Sequence, residues 1–191
     1  VWAKELGGAL ILFVVYLALI YIASHQPLYV LAGLGGGGAA AFVAYHLFNH
    51  VRVRVQTWST PFSVIKNDTS QISQSLFAIG TGGWVGLGLL GGIPQKIPVS
   101  DEDLIFSAIT EELGLLFSIC LILVCLSTFI MFINIATRIK RPFYKLLAVG
   151  FGIEYIFQVF LTIGGGTKFI PLTGVTLPLI SYGGSSALCT L

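Results

Sequence analysis

The sequence predicts an all-α fold, a polytopic transmembrane helix bundle with about six crossings. Composition is the first observation behind this. Of 191 residues, 55% are hydrophobic and only 9% charged, against roughly 25% charged in a soluble domain, and the mean hydropathy is +0.92. The second is a series of long charge-free runs separated by short polar breaks. The third is the charge itself, which gathers as basic residues in some breaks and as acidic residues in one. A net charge of +2 gives no reason to expect a nucleic-acid partner. Cys120, Cys125 and Cys189 lie in apolar runs without metal-ligand spacing and read as small core residues. The chain opens on Val without a signal peptide and stays apolar to Leu191, so it reads as a piece truncated at both ends.

Each element follows from the same rule, that a crossing helix needs about 20 mostly apolar residues. Leu6 to Ala23 qualifies, and Ser24-His25-Gln26-Pro27 ends it. Leu28 to Phe48 is the second run, with Gly33 to Gly38 inside it. A polar stretch from His50 to Thr69 carries Arg52, Arg54, Lys66 and Asp68. Ser70 to Ile93 is uncharged but rich in Gly and Ser, the weakest span of the set. Lys96 to Glu112 is an acidic loop and helix entry, and Leu113 to Thr137 is the strongest span. After the basic turn Arg138 to Lys145, Leu146 to Ile163 spans again around Glu154. A Gly-rich loop, Gly164 to Gly174, leads to a last span from Val175 to Leu191.

Cytoplasmic loops are enriched in Lys and Arg. With the turn 138–145 placed inside, strict alternation puts Lys4, Arg52, Arg54 and Lys66 inside too, eight basic residues against Lys96 and Lys168 outside. Five of the eight acidic residues, Asp101, Glu102, Asp103, Glu111 and Glu112, then fall outside.

Several motifs have plain explanations. Gly86-Leu-Gly88-Leu-Leu-Gly91 matches a dinucleotide-binding pattern, but no strand precedes it, and close packing accounts better for these glycines and for Gly33/Gly37. Asn67-Asp-Thr69 is a glycosylation sequon by pattern only. His46 and His50 are four apart, yet lack a third ligand nearby and read as interfacial polar residues. Glu154 sits mid-span, where a carboxylate is costly and either functional or a hydrogen-bonded packing group.

In the acidic loop, a helix starting near Asp103 would put Ser107, Thr110 and Glu111 on the aspartate's face, with Glu112 opposite. Such a carboxylate at the mouth of a bundle can act as a general base or hold a cation beside a phosphate. It can equally be a solvated residue at a helix N-terminus, and spacing alone favours that reading.

Read together, the segments resemble the SEDS family, the FtsW/RodA/SpoVE group. Lys4-Glu-Leu-Gly-Gly-Ala-Leu10 is similar to its D-L-G-T-A-L helix start. His50-Val-Arg-Val-Arg-Val-Gln-Thr-Trp58, followed by Pro61, is similar to R-V-x-x-W-x-N-P. Gln74-Ser-Leu-Phe-Ala-Ile-Gly80 with Gly82-Gly83 is similar to Q-S-L-x-A-I-G-S-G-G. Ile97-Pro98 to Phe106, then Glu111-Glu-Leu-Gly114, resembles I-P-x-x-x-x-D-F-I-F and E-E-L-G. Pro171-Leu-Thr-Gly174 and Thr176 to Ser186 resemble the closing signature almost letter for letter. The departures are Glu5, Gly8, Leu104 in place of Phe, Thr162 where Asn is common, and Thr173 where some members have Lys.

The resemblance implies part of a single ten-helix transmembrane domain of a membrane glycosyltransferase, with an outer catalytic loop at 94–112. The enzyme polymerises lipid II into peptidoglycan glycan strands during division or elongation, with a class B penicillin-binding protein as partner. It is expected in the bacterial cytoplasmic membrane, with loop 94–112 outside and 138–145 inside. Asp103 takes the place of the catalytic aspartate. Glu111, Gln74, Lys96, Thr173 and Ser181 are expected to support catalysis or bind substrate, and Glu154 is the intramembrane candidate. With Lys96 and Lys168 alone outside, the diphosphate leaving group calls for a divalent cation or for Arg or Lys from beyond this sequence. The rival functions are a lipid II flippase working through Glu154 and a non-catalytic scaffold for the transpeptidase.

Overall fold

The computed structural model describes residues 6–59, 70–89, 91–92 and 102–181. Every regular element among them is a helix: α1 Leu6–Ser24, α2 Pro27–Leu47, α3 Asn49–Ser59, α4 Ser70–Gly82, α5 Ile105–Arg138 and α6 Pro142–Gly166. Four of these, α1, α2, α5 and α6, are long and apolar enough to cross a membrane, and the chain is a multi-pass membrane protein. Their surfaces carry many exposed large apolar side chains, Leu12, Leu31, Phe42, Val124 and Phe151 among them, as expected of helices that meet lipid. Pro27 and Pro142 stand in the first turns of α2 and α6, where a missing N–H costs nothing.

The crossing helices alternate in direction. Gly7 at the start of α1 lies against Thr173 and Val175, while Leu19 near its end lies by Gly150 in the first half of α6. α2 returns beside α1, with Gly33 against Leu17 and Gly37 against Phe13, the close packing expected of these glycines. α5 and α6 are antiparallel: Phe129 and Phe132 pack at Gly152, and Cys125 meets Val159. One end of the bundle therefore gathers the start of α1, all of α3, the start of α5 and the end of α6. The other end holds the turns after Ser24 and Arg138.

The span expected over Ser70 to Ile93 is not a crossing. α4 has 13 residues, about 20 Å of helix against a hydrocarbon core of about 30 Å. Beyond Gly82 the chain turns back along α5. Leu115 and Leu116 donate to the carbonyls of Gly83 and Trp84, and Leu87 and Gly88 donate to those of Glu111 and Glu112. This pairing meets a break inside α5 at Gly114 (φ 85°, ψ 171°), so the groups freed by the break find partners. Gly86 and Gly88 adopt positive φ, and a Cβ on Gly86 would meet the Glu112 carbonyl at 2.2 Å. The glycine motif thus serves a close passage of two backbones.

Because α4 does not cross, α3 stands at the same end as the start of α5. The expectation that Arg52 and Arg54 lie on the side opposite Asp103 is therefore corrected, as is that of an α1 start on the side of Arg138. In the last expected span, residues 171–181 are non-helical and the remainder lies outside the described residues. This segment is inserted between helices. Leu177 is 0% exposed and packs with Cys125 and Val159, while Val175 packs with Ile11 and Leu161. Its buried carbonyls are met by side chains of α6: Thr162 Oγ1 lies 2.9 Å from Val175 O, and Gln158 Nε2 donates to Thr176 O at 3.0 Å.

Candidate functional site

Asp103 lies in the turn just before α5, which starts at Ile105 rather than at the aspartate. Its neighbour Leu104 is 1% exposed and packs with Ala78, Ala108 and Leu172, a core position. That anchor holds Asp103 half-buried at the end of the bundle. Opposite it stands Gly174, with φ +75°. A Cβ added to Gly174 would lie 3.6 Å from Asp103 Oδ2 and 4.0 Å from Arg54 Nη2. The carboxylate and the guanidinium thus converge on one glycine.

α3 carries Arg54 and Trp58 one turn apart, on one face. Arg54 Nη1 donates to the carbonyls of Leu172 at 3.4 Å and Thr173 at 3.3 Å. Trp58 Nε1 donates to Lys168 O at 3.0 Å. Arg52 faces away, with its guanidinium carbon 5.7 Å from the centre of the Tyr45 ring on α2. The Asp103 carboxyl is pushed above its ordinary value of 3.8, chiefly by burial and then by the charge of Glu102, with Arg54 pulling the other way.

The other expected site residues divide. Thr173 adjoins Gly174 and gives its carbonyl to Arg54. Ser181 ties the closing segment to the turn: its Oγ donates to Glu102 O at 2.7 Å and accepts from Leu177 N at 2.8 Å. Ser107 and Thr110 do not face the aspartate but are buried, Ser107 against Ser75 and Thr110 against Ser118. Glu111 has different surroundings from Asp103, lying beside Gly92, and its Oε2 is buried with no hydrogen-bond partner among the described residues, as is Gln74 Oε1. Glu154 shares a face of α6 with Gln158 and Thr162 at spacings of four, roughly 18 Å along the helix from Gly166. Lys96 and Asp101 lie outside the described residues. Sequence reasoning missed Arg54, Trp58 and Gly174. The spacing of four between Arg54 and Trp58 was the available signal.

Among the described residues no group of three or more His, Cys, Asp or Glu side chains converges to hold a metal. Asp103 offers one carboxylate, whereas Mg²⁺ is usually held by one or two carboxylates together with substrate phosphates. A divalent cation here would therefore be carried largely by a phosphorylated ligand.

The FtsW/RodA/SpoVE family, described as Cell cycle protein, matches residues 1–191. The chain is 41% identical over 188 residues to the peptidoglycan glycosyltransferase RodA of Mycobacterium tuberculosis, covering 98% of this chain and 40% of the relative. It is 39% identical over 199 residues to the probable peptidoglycan glycosyltransferase FtsW of Halorhodospira halophila, covering 97% and 48%. The chain thus spans less than half the length of either. In three dimensions it resembles a chain from a solved peptidoglycan synthase complex concerned with coordinating polymerization and crosslinking. The TM-score is 0.79 at 25% identity, over 98% of this chain and 52% of the other.

Proposed function

Because the chain belongs to the FtsW/RodA/SpoVE family, we propose that it serves a membrane glycosyltransferase that polymerises lipid II, with Asp103 as the general base. The observation that carries this reading is the convergence of Asp103 and Arg54 on Gly174 at one end of the bundle. The 4-hydroxyl of an acceptor GlcNAc attacks C1 of the donor MurNAc. The new C1–O bond forms as the bond to the diphosphate breaks, its electron pair leaving with undecaprenyl diphosphate and the hydroxyl proton passing to Asp103. A positioned base contributes roughly 100- to 10,000-fold. A raised carboxyl value suits that task, since it brings the base closer to neutral pH. A divalent cation, where one takes part, arrives with the diphosphate.

The Asp103 end is assigned the outward face of the bacterial inner membrane from the family reading of loop 94–112 together with the far-end turn, where Arg138, Lys140, Arg141 and Lys145 crowd into eight residues. With Arg52 and Arg54 joining Lys168 at the Asp103 end, the assignment rests on that turn and not on a count over the whole chain. The partner is a class B penicillin-binding protein. The resemblance to a chain of a synthase complex supports this choice.

The test is strand synthesis from lipid II by the full-length protein with its transpeptidase, comparing wild type, Asp103→Ala and Asp103→Asn. Loss of polymerisation in both variants, with partner binding intact, is expected. Near-normal synthesis by Asp103→Asn removes Asp103 from catalysis. A wild type that binds its partner but makes no strands is a scaffold. One that moves lipid II across vesicles in a Glu154-dependent way without polymerising it is a transporter.

A further inference from the structure

We propose that Arg54 is a substrate-binding residue of this site, presenting the Nη2 side of its guanidinium to the diphosphate of the lipid-linked donor beside Asp103. The inference rests on the glycosyl-transfer reading for the identity of the anion, but its geometry does not depend on turnover. Of the basic side chains described at this end of the bundle, Arg52 is turned to the Tyr45 ring. Lys168 belongs to the start of the loop, where its carbonyl is taken by Trp58. Arg54 is the one whose guanidinium reaches the glycine that Asp103 also reaches.

Arg54 is also held for the purpose. Nη1 is anchored to two successive carbonyls, Leu172 and Thr173. Nη2 lies on the side of Gly174, 4.0 Å from where a Cβ on that glycine would stand. An arginine fork offers five N–H donors in fixed geometry, and a diphosphate oxygen pair accepts two of them in parallel. Anchoring one edge fixes the direction of the other and lowers the entropy lost on binding. Trp58 latches α3 to the same loop through a separate bond, to Lys168 O, so α3 does not depend on Arg54 alone for its position. Gly174 completes the arrangement, because a Cβ there would come within 3.6 Å of the carboxylate and 4.0 Å of the guanidinium.

The chemistry needs such a group. The leaving diphosphate carries negative charge that grows as its bond to C1 breaks, and fixed donors aimed at that charge stabilise the transition state. Asp103, which reaches the same glycine, is placed for the incoming hydroxyl. The two charges thereby divide the work, one at the attacking oxygen and one at the departing oxygens.

The experiment is equilibrium binding of undecaprenyl diphosphate and of undecaprenyl monophosphate to the full-length protein in complex with its transpeptidase. It compares wild type, Arg54→Gln, Arg54→Lys and Arg52→Gln. Arg54→Gln should weaken diphosphate binding roughly tenfold to a hundredfold, the range for a lost hydrogen bond to a charged group, and should change monophosphate binding much less. Arg54→Lys should recover part of the loss, and Arg52→Gln, with the same change of charge on the other face of α3, should match wild type. Unchanged diphosphate binding in Arg54→Gln overturns the proposal. So does an equal loss in Arg52→Gln, which would mean a general field effect. Polymerisation is read in parallel. Arg54-dependent binding in a protein that makes no strands leaves this inference standing while the glycosyl-transfer reading fails.

Discussion

Ser75 Oγ lies 2.5 Å from Ser107 Oγ, joining α4 to α5 inside the protein, and donates its own proton to Gly166 O at 2.7 Å on the last turn of α6. A hydroxyl has one proton, so Ser107 must be the donor between the two serines. Three helices are thereby tied at one buried point directly beneath the turn that carries Asp103.

That direction of donation makes the two serines unequal. Ser75→Ala leaves the Gly166 carbonyl and the Ser107 hydroxyl both unpartnered and should cost about 1–3 kcal/mol. Ser107→Ala removes a donor but leaves the bond to Gly166 in place, and should cost less. Unfolding midpoints of the full-length protein in detergent give the order, and a larger loss for Ser107→Ala would reverse the assignment.

The break in α5 depends on Gly114, whose φ of 85° and ψ of 171° belong to a region open essentially to glycine alone. A Cβ there would also meet the Val85 carbonyl carbon at 2.4 Å. Gly114→Ala should therefore lower stability by more than the roughly 1–3 kcal/mol of backbone strain alone, and expose 83–92 to protease. Gly80→Ala, on α4 with nothing within 4 Å, should be neutral or stabilising by up to about 1 kcal/mol.

Polymerisation should lose activity on the acid side at a pH above the ordinary aspartate value of 3.8, since a base works ionised and burial holds the Asp103 carboxyl up. The charges facing it are Glu102 from its own turn and Arg54 from α3. The segment 171–181 brings no titratable side chain. Glu102→Gln should move the acid limb down in pH and Arg54→Gln should move it up. Opposite movements, or none, in pH profiles of kcat/KM would contradict the assignment.

The same raised value has a stability consequence. A carboxyl whose folded value exceeds its unfolded one contributes fully below the unfolded value and loses that contribution as pH rises through the folded value. At pH 7 an ionised Asp103 is therefore a liability to the fold. Asp103→Asn should raise Tm at pH 7 while abolishing strand synthesis, and the gain in Tm should shrink as the pH is lowered toward 4.

Leu104 links fold to site most directly. Leu104→Ala opens a cavity among Ala78, Ala108 and Leu172 and should cost about 2–5 kcal/mol. Turnover should fall at temperatures where the protein remains folded, because the side chain that fixes the Asp103 turn is gone. Parallel Tm and kcat measurements separate the two effects.

The four crossing helices were legible because a long charge-free apolar run has one stable setting. Ser70 to Ile93 was misread for a physical reason: Gly and Ser lack charge without supplying continuous helix, and Gly83, Gly86 and Gly88 take positive φ. One false crossing reverses the side of everything before it, and so Arg54 was sent away from Asp103. Asp103 itself stood out by motif and not by spacing. Gln158 and Thr162 could not be read in advance, since their task is to meet carbonyls of a non-helical segment whose position the sequence does not advertise.

The break at Gly114 also divides α5 by height. The helix has 34 residues, about 51 Å if straight, against a hydrocarbon core of about 30 Å. From Gly114 to Arg138 is about 36 Å, enough to cross with a modest tilt, and the turns before Gly114 rise about 14 Å further. With the crossing set from Gly114 to Arg138, the helix is in effect a measuring rod with Gly114 as its waterline, and the turns before it would lift Asp103 to the level of the lipid headgroups. Bilayer thickness then becomes a variable of the reaction. Lipids with longer chains should draw the site down toward the acyl region, and turnover in reconstituted membranes should peak at one chain length.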